Sequence, residues 1–203
     1  MTSYPFIKDL FTNVLLKSKA IKGRFYICPR FGIELNSETL SQVLSEALVN
    51  AKPHNKYPLA LMMPPRSRGE VKFNLDEFEA YHITMFFLKQ TYYGEGAAIN
   101  KNTQTSTHTV DEDWHDMKRC ANGFVRVLDR MTRKTPGLVS KFRIHPDDKL
   151  FNPVSLIGTD RASGIQLDFN ISLFTGCTLE DYTEADIETI EVPVSDSHPE
   201  HLL

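Results

Sequence analysis

The segment IQLDFNISLF constrains the fold more than any other part of the chain. Ile165, Leu167, Phe169, Ile171 and Leu173 alternate with Gln166, Asp168, Asn170 and Ser172. A strict period of two puts all the apolar side chains on one face and all the polar ones on the other. Such a strand has one buried face and one wet face, as antiparallel sheets allow. It needs neighbours of the same kind and an apolar layer to cover it.

The rest of the chain supplies both. Ile7, Leu10, Phe11, Val14 and Leu15 share a face of a first helix, which Lys22-Gly23 ends. RFYICPRF follows as a short strand. Asn36 or Ser37 caps a second helix carrying Leu40, Val43, Leu44, Ala47 and Leu48 at helical spacing. YPLALMMPP is apolar throughout and reads as a strand buried on both faces. PPRSRG reads as a turn with Arg66 and Arg68 at a hairpin tip, and EVKFN as the next strand.

Residues 75–93 satisfy both periods. Phe78, Tyr81, Met85, Leu88 and Tyr92 would share a helical face, whereas Tyr81, Ile83, Met85 and Phe87 alternate as in a strand. Aromatic and β-branched content decides for the strand. A long polar run follows, from Gly94 to His108. Thr109 and Glu112 have capping-box spacing, which predicts a helix beginning at Thr109. Its core face is Trp114, Met117, Ala121, Phe124, Leu128 and Met131. Gly123, with Cys120 and Ala121, suits close packing on a sheet. Thr135-Pro136-Gly137 ends the helix. KFRIH, LFNPVSLIG, the turn TDRASG and the alternating strand complete the body. This order predicts an α+β fold, a mostly antiparallel sheet with two or three helices packed on one face. Residues 1–175 form one domain in this reading, and 176–203 form an acidic C-terminal arm or tail.

Charge is uneven along the chain. The first 161 residues hold all 23 Lys and Arg against 17 acids, a net of +6, and residues 162–203 hold the other 9 acids. A body of only +6 argues against specific nucleic-acid binding, which needs clustered basic residues. Apolar runs are too short for a membrane span, and the N-terminus lacks the pattern of a signal peptide. Cys28, Cys120 and Cys177 are three widely spaced thiols, which read as reduced cysteines of a cytosolic protein.

Motifs for known chemistries are missing: no Walker loop, no G-x-S-x-G, no G-x-G-x-x-G and no H-E-x-x-H. GEGAA at 94–98 has no P-loop Lys and no helix directly after it. His108 and His115 have the wrong spacing for a helical zinc pair, and the acids near them read as exposed groups complementing a helix N-terminus. HPDDK at 145–149 carries fragments of a nuclease signature, but they overlap, so a turn is the better reading. Glu70-Val71-Lys72 matches E-x-K on a strand, yet no acid lies between Glu46 and Glu70 to partner it. Cys120 sits on a core helix face and reads as a buried, inert thiol. No cofactor and no metal site is expected.

The element order itself resembles a known family. A helix, a buried strand around KYPLALMMPP and a long aromatic strand AYHITMFFL form one half. A polar loop, the helix DEDWHDMKRCANGFVRVLD and a hairpin ending GIQLDFNISLF form the other. This resembles the tail-completion and tail-terminator proteins of tailed phages and phage-like contractile particles, over roughly residues 5–175. The resemblance implies a structural, non-enzymatic subunit. It would form a homo-oligomeric ring, commonly a hexamer, that caps the tail tube and joins it to the neck or connector. Partners would be other copies, the tail-tube protein and the connector protein, with no membrane involved. Such a chain would sit in the host cytoplasm during assembly and then in the virion tail. The candidate contacts are Gly94, Asn100, Lys101, Asn102 and His108 in the polar run, Arg66 and Arg68, and the arm residues Ile190, Val192 and Val194, which alternate as a strand added to a sheet edge would. The competing expectations are a metal-dependent hydrolase or nuclease using Glu70 and Lys72, and an adaptor binding through its C-terminal arm.

Overall fold

A computed structural model describes residues 3–28, 37–48, 56–73, 76–91, 105–134, 142–157 and 161–174. The elements in chain order are α1 (Ser3–Leu16), β1 (Phe25–Ile27), α2 (Ser37–Leu48), β2 (Leu59–Met62), β3 (Arg66–Phe73), β4 (Asp76–Gln90), α3 (Thr105–Lys134), β5 (Phe142–Ile157) and β6 (Ala162–Phe174). The fold is α+β, and its six strands join one mixed, mostly antiparallel sheet. The order is β1-β2-β4-β6-β5, with β3 also paired to β4.

The alternating segment is β6, and it lies next to β4. Their antiparallel ladder runs from Phe78↔Phe174 to Gln90↔Ala162 without a slip. Residues 75–93 are therefore a strand, as their aromatic content indicates. The single parallel pair is β1–β2, joined by α2 as a βαβ unit.

Alternation sorts the core into two layers. Tyr81, Ile83, Met85 and Phe87 of β4 and Ile165, Leu167, Phe169 and Ile171 of β6 pack against α1 and α3. Four rings meet there: Phe124 of α3 lies 5.0 Å from Phe11, 5.9 Å from Phe87 and 6.3 Å from Phe169, centroid to centroid. These tilted and edge-on geometries suit the ring quadrupoles. The opposite face of the sheet is covered at one end by α2, whose Leu40, Val43 and Leu44 pack with Leu59, Leu61, Phe86 and Leu88. The helices are thus on both faces, not one. The cause is visible in β2: all four of its residues are buried, with Ala60 and Met62 under α1 and α3 and Leu59 and Leu61 under α2.

Other boundaries also differ from expectation. PPRSRG is no turn. Met62↔Met85 and Arg66↔His82 show β2 and β3 running along the same side of β4, with Pro64-Pro65 as a kink between them. Met63 keeps the ladder going by donating its N–H to the Thr84 carbonyl. Proline lacks a donor, which a strand at a sheet margin tolerates. Arg66 and Arg68 therefore lie on an edge strand, exposed, and the hairpin closes instead at Phe73↔Asp76. KFRIH and LFNPVSLI are one strand, β5, interrupted by a register shift between His145 and Leu150. The helix α3 begins at Thr105, four residues before the predicted cap, so Thr109 and Glu112 are interior positions.

The glycines of α3 and β6 do opposite things. A Cβ on Gly123 would meet nothing within 4 Å, so this glycine is not a close-packing device. A Cβ on Gly164 would collide with the Phe87 carbonyl oxygen, so the β4–β6 backbone approach requires glycine there. Gly123→Ala should raise stability by about 0.5–1 kcal/mol through helix propensity. Gly164→Ala should lower it by about 1–3 kcal/mol through overpacking. Urea denaturation of both variants checks the pair.

Candidate functional site

Polar side chains gather in two places, one on each face of the β4–β6 ladder. On the face away from α1 and α3, Asp168 of β6 sits among donors from three strands. The Thr84 hydroxyl donates to its Oδ1 at 2.6 Å, and the Gln166 amide donates to its Oδ2 at 2.7 Å. The Asn152 amide reaches the same Oδ2 at 3.4 Å, and His82 Nε2 lies 3.6 Å from Oδ1. The other His82 nitrogen, Nδ1, is 3.2 Å from Asn170 Oδ1, so Nδ1–H donates there and Nε2 faces the carboxylate. Beside this group His145 Nε2 stands 3.1 Å from the Ser172 hydroxyl.

The register explains why these side chains meet. His82↔Asn170 and Thr84↔Asp168 are direct pairs across β4 and β6, and Leu150↔Asp168 and His145↔Asn170 bring in β5. Cross-strand neighbours on one face lie within side-chain reach. The face expected to be wet is therefore only partly so: Asp168 and Ser172 are buried, at 8% and 4% exposure.

A histidine beside a carboxylate and a histidine beside a serine are the parts of acid–base and nucleophilic chemistry. Their connections here run elsewhere. The Asp168 oxygens are occupied by the sheet's own donors. Among the described residues, no acid orients His145, and the Ser172 hydroxyl is withdrawn from solvent. The arrangement holds β4, β5 and β6 in register by hydrogen bonds that only this register satisfies.

The second gathering fastens α3 to the sheet. Asp113, at 3% exposure, pairs through Oδ1 with Lys89 Nζ at 3.2 Å, and Asp116 Oδ2 takes the same ammonium at 3.2 Å. The Thr91 hydroxyl lies 2.9 Å from Asp113 Oδ2 and 2.8 Å from Ser163 Oγ. With one proton, it donates to the carboxylate and accepts from the serine. Further along α3, Trp114 Nε1 donates to the Val154 carbonyl at 2.9 Å, and Lys149 Nζ donates to Asn122 Oδ1 at 3.0 Å. The acids after His108 therefore do not complement the helix N-terminus. The early start of α3 places them a turn or more inside, where Asp113 and Asp116 bind Lys89. Burial pushes the Lys89 pKa down, but its hydrogen bonds and charge pairing with the two aspartates more than offset this, and it is raised above 10.5.

Of the predicted contact residues, Arg66 and Arg68 lie on β3, and His108 lies in the first turns of α3. Gly94, Asn100, Lys101, Asn102, Ile190, Val192 and Val194 fall outside the described residues, as do GEGAA and Cys177. HPDDK is the irregular middle of β5 rather than a turn. Glu70 and Lys72 stand opposite Glu79 and Glu77 in the β3–β4 register, so the hairpin supplies the acid that the preceding sequence lacks. Burial pushes the Cys120 thiol up to about 12, against a smaller opposite effect of its hydrogen bond with Ser18, which makes it a poor nucleophile. Among the described residues, no group of three or more His, Cys, Asp and Glu is placed to hold a metal, and no helix is long and apolar enough to cross a membrane. Sequence reading missed the Asp168 and Asp113 groups. The signal available was polar residues, Thr91 and Asp113, inside otherwise apolar patterns. No protein-family model, curated protein or solved structure matches the chain.

Two predictions follow from the pairing. Asp168→Ala strands the Thr84 and Gln166 donors and should cost about 1–3 kcal/mol in urea denaturation. Lys89→Met should destabilise the chain at neutral pH. Because the folded pKa of Lys89 is raised, its contribution is complete below 10.5 and lost as pH rises through the folded value. The stability gap between Lys89→Met and the parent should therefore close in alkaline solution above 10.5. A gap independent of pH would refute the ion-pair origin.

Proposed function

We propose that the chain is a structural, non-catalytic subunit of a phage or phage-like tail. In this reading copies of it form a ring that terminates the tail tube and joins it to the neck or connector. The observation that carries the reading is the placement of the sheet's edges. The strands β1 and β3 lie on one side of the β4–β6 ladder and β5 lies on the other. Each of the three has a described strand on one side only. In the proposed ring the β3 side of one copy pairs with the β5 side of the next, which is a head-to-tail contact, whereas like edges would pair across a two-fold axis. Head-to-tail contacts close into rings when the rotation allows, and edge strands are ready templates for pairing. The element order of the α+β body supports the same reading. So does the engagement of Asp168, Asp113 and Cys120 in holding the fold rather than in presenting reactive atoms.

Purified protein should form rings in negative-stain images, alone or on tubes of the tail-tube protein. Arg66→Glu with Arg68→Glu, at exposed positions on β3, should reduce ring formation severalfold without lowering the melting temperature. A chain that stays monomeric even with its tube protein present would sink the proposal.

The β3–β4 register favours a second reading, a metal-dependent hydrolase or nuclease built on Glu70, Lys72 and Glu79. Hydrolytic activity with a divalent metal, lost in a folded Glu70→Ala variant, would establish it. Inactivity across divalent metals counts against it.

A further inference from the structure

The two outer flanks of the β4–β6 ladder carry opposite charge. On one flank β3 presents Arg66 and Arg68, both exposed. On the other, β5 presents Asp147 and Asp148, also exposed, in the stretch inserted between His145 and Leu150. Among the described residues none of these four makes an ion pair. The cations of β5 are committed elsewhere: Lys149 Nζ donates to Asn122 on α3, and the Arg143 guanidinium lies 5.2 Å from the Phe78 ring centroid. The arginines and aspartates cannot meet within one copy. The order β3-β4-β6-β5 separates the flanks by three strand spacings, roughly 14 Å, with the sheet between them.

Register places the two charge sets at similar heights. Arg66 stands opposite His82, His82 opposite Asn170, and Asn170 opposite His145, with Asp147 and Asp148 just beyond. Three successive antiparallel pairings make β3 and β5 run in opposite directions. A second copy moved sideways across the sheet, with its helices on the same faces, therefore brings its β5 antiparallel to β3 and its aspartates toward the arginines. Neither edge is suited to a long backbone ladder. A register shift interrupts β3 between Ser67 and Glu70, and β5 has two shifts and an exposed proline, Pro153. Side-chain charge then distinguishes one edge from the other. Two β3 edges would set arginines against arginines, and two β5 edges aspartates against aspartates, which is destabilising in both cases. Only the unlike pair attracts.

We propose that Arg66 and Arg68 of one copy bind Asp147 and Asp148 of the next, and that this charge match selects head-to-tail over two-fold association. The inference rests on the ring reading and adds the residues that fix its polarity. Exposed ion pairs are individually weak. The match therefore acts by discriminating between edges, and it weakens as salt rises.

Sedimentation of the full chain at low salt, with the tube protein added if the parent alone stays monomeric, tests it. Arg66→Glu with Arg68→Glu makes both edges acidic, and Asp147→Arg with Asp148→Arg makes both basic. Each pair of reversals should weaken self-association by about tenfold or more, with the melting temperature unchanged. Mixed in equal amounts, the two variants should assemble again, because each offers the edge that the other lacks. A chain carrying all four reversals should assemble alone. Arg126→Glu with Arg130→Glu, exposed on α3, should associate as the parent does. Paired reversals that associate like the parent, or a loss that neither mixing nor the fourfold reversal restores, would overturn the inference and leave the ring reading standing. A parent that never associates, with its tube protein or without, would remove both.

Discussion

The β4–β6 ladder is the constraint on which everything else rests. It is the longest uninterrupted pairing in the sheet, from Phe78↔Phe174 to Gln90↔Ala162. Its strict alternation decides which side chains enter the aromatic layer under α1 and α3 and which face the other way. A slip of β6 by one residue would exchange its two sets, turning Asp168 toward α3 and Phe169 away from it. Two features oppose that slip. One is the close backbone approach at Gly164. The other is the hydrogen bonding of Asp168, which is complete only when Thr84 stands opposite.

The helices are fixed to this ladder by different means. The first, α1, buries Ile7, Leu10 and Phe11 fully against the ladder. The long helix α3 adds polar fasteners to its apolar stripe: Asp113 and Asp116 on Lys89, Trp114 on the Val154 carbonyl and Asn122 on Lys149. They set its position along the sheet, which apolar packing by itself leaves loosely defined. The second helix, α2, crosses the opposite face because β1 and β2 are parallel, and a parallel pair needs a crossover over one side of the sheet.

Much of this architecture was legible in the residues. The alternation of 165–173, the unbroken apolar run of β2 and the spacing of Met117, Ala121, Phe124, Leu128 and Met131 identify their elements directly, because burial follows period. What was not legible depended on pairing. Pro64-Pro65 looks like a turn in isolation, and only the shared partner β4 reveals β2 and β3 as one kinked course along the same side of it. Thr109 and Glu112 have cap spacing, but α3 starts earlier, which makes Asp113 an interior, buried group rather than an N-terminal one. The two polar gatherings join residues as far apart in sequence as His82 and Asn170, so a polar residue at a core position can flag a member but not its partners. The positional reading of Glu70 suffers likewise, since its facing acid, Glu79, arrives through the hairpin register.

The functional account joins a rigid ladder to open edges. In the proposed ring the subunit would keep its own register by internal hydrogen bonds and offer β3 and β5 to its neighbours. Amide hydrogen exchange tests that division directly, compared between dilute chain and assembled rings. The account predicts that β4 and β6 exchange slowly in both states, and that β3 and β5 gain protection only on assembly. Protection gained on α3 in place of the edges, or β4 and β6 exchanging as fast as β3 in the dilute chain, would contradict it.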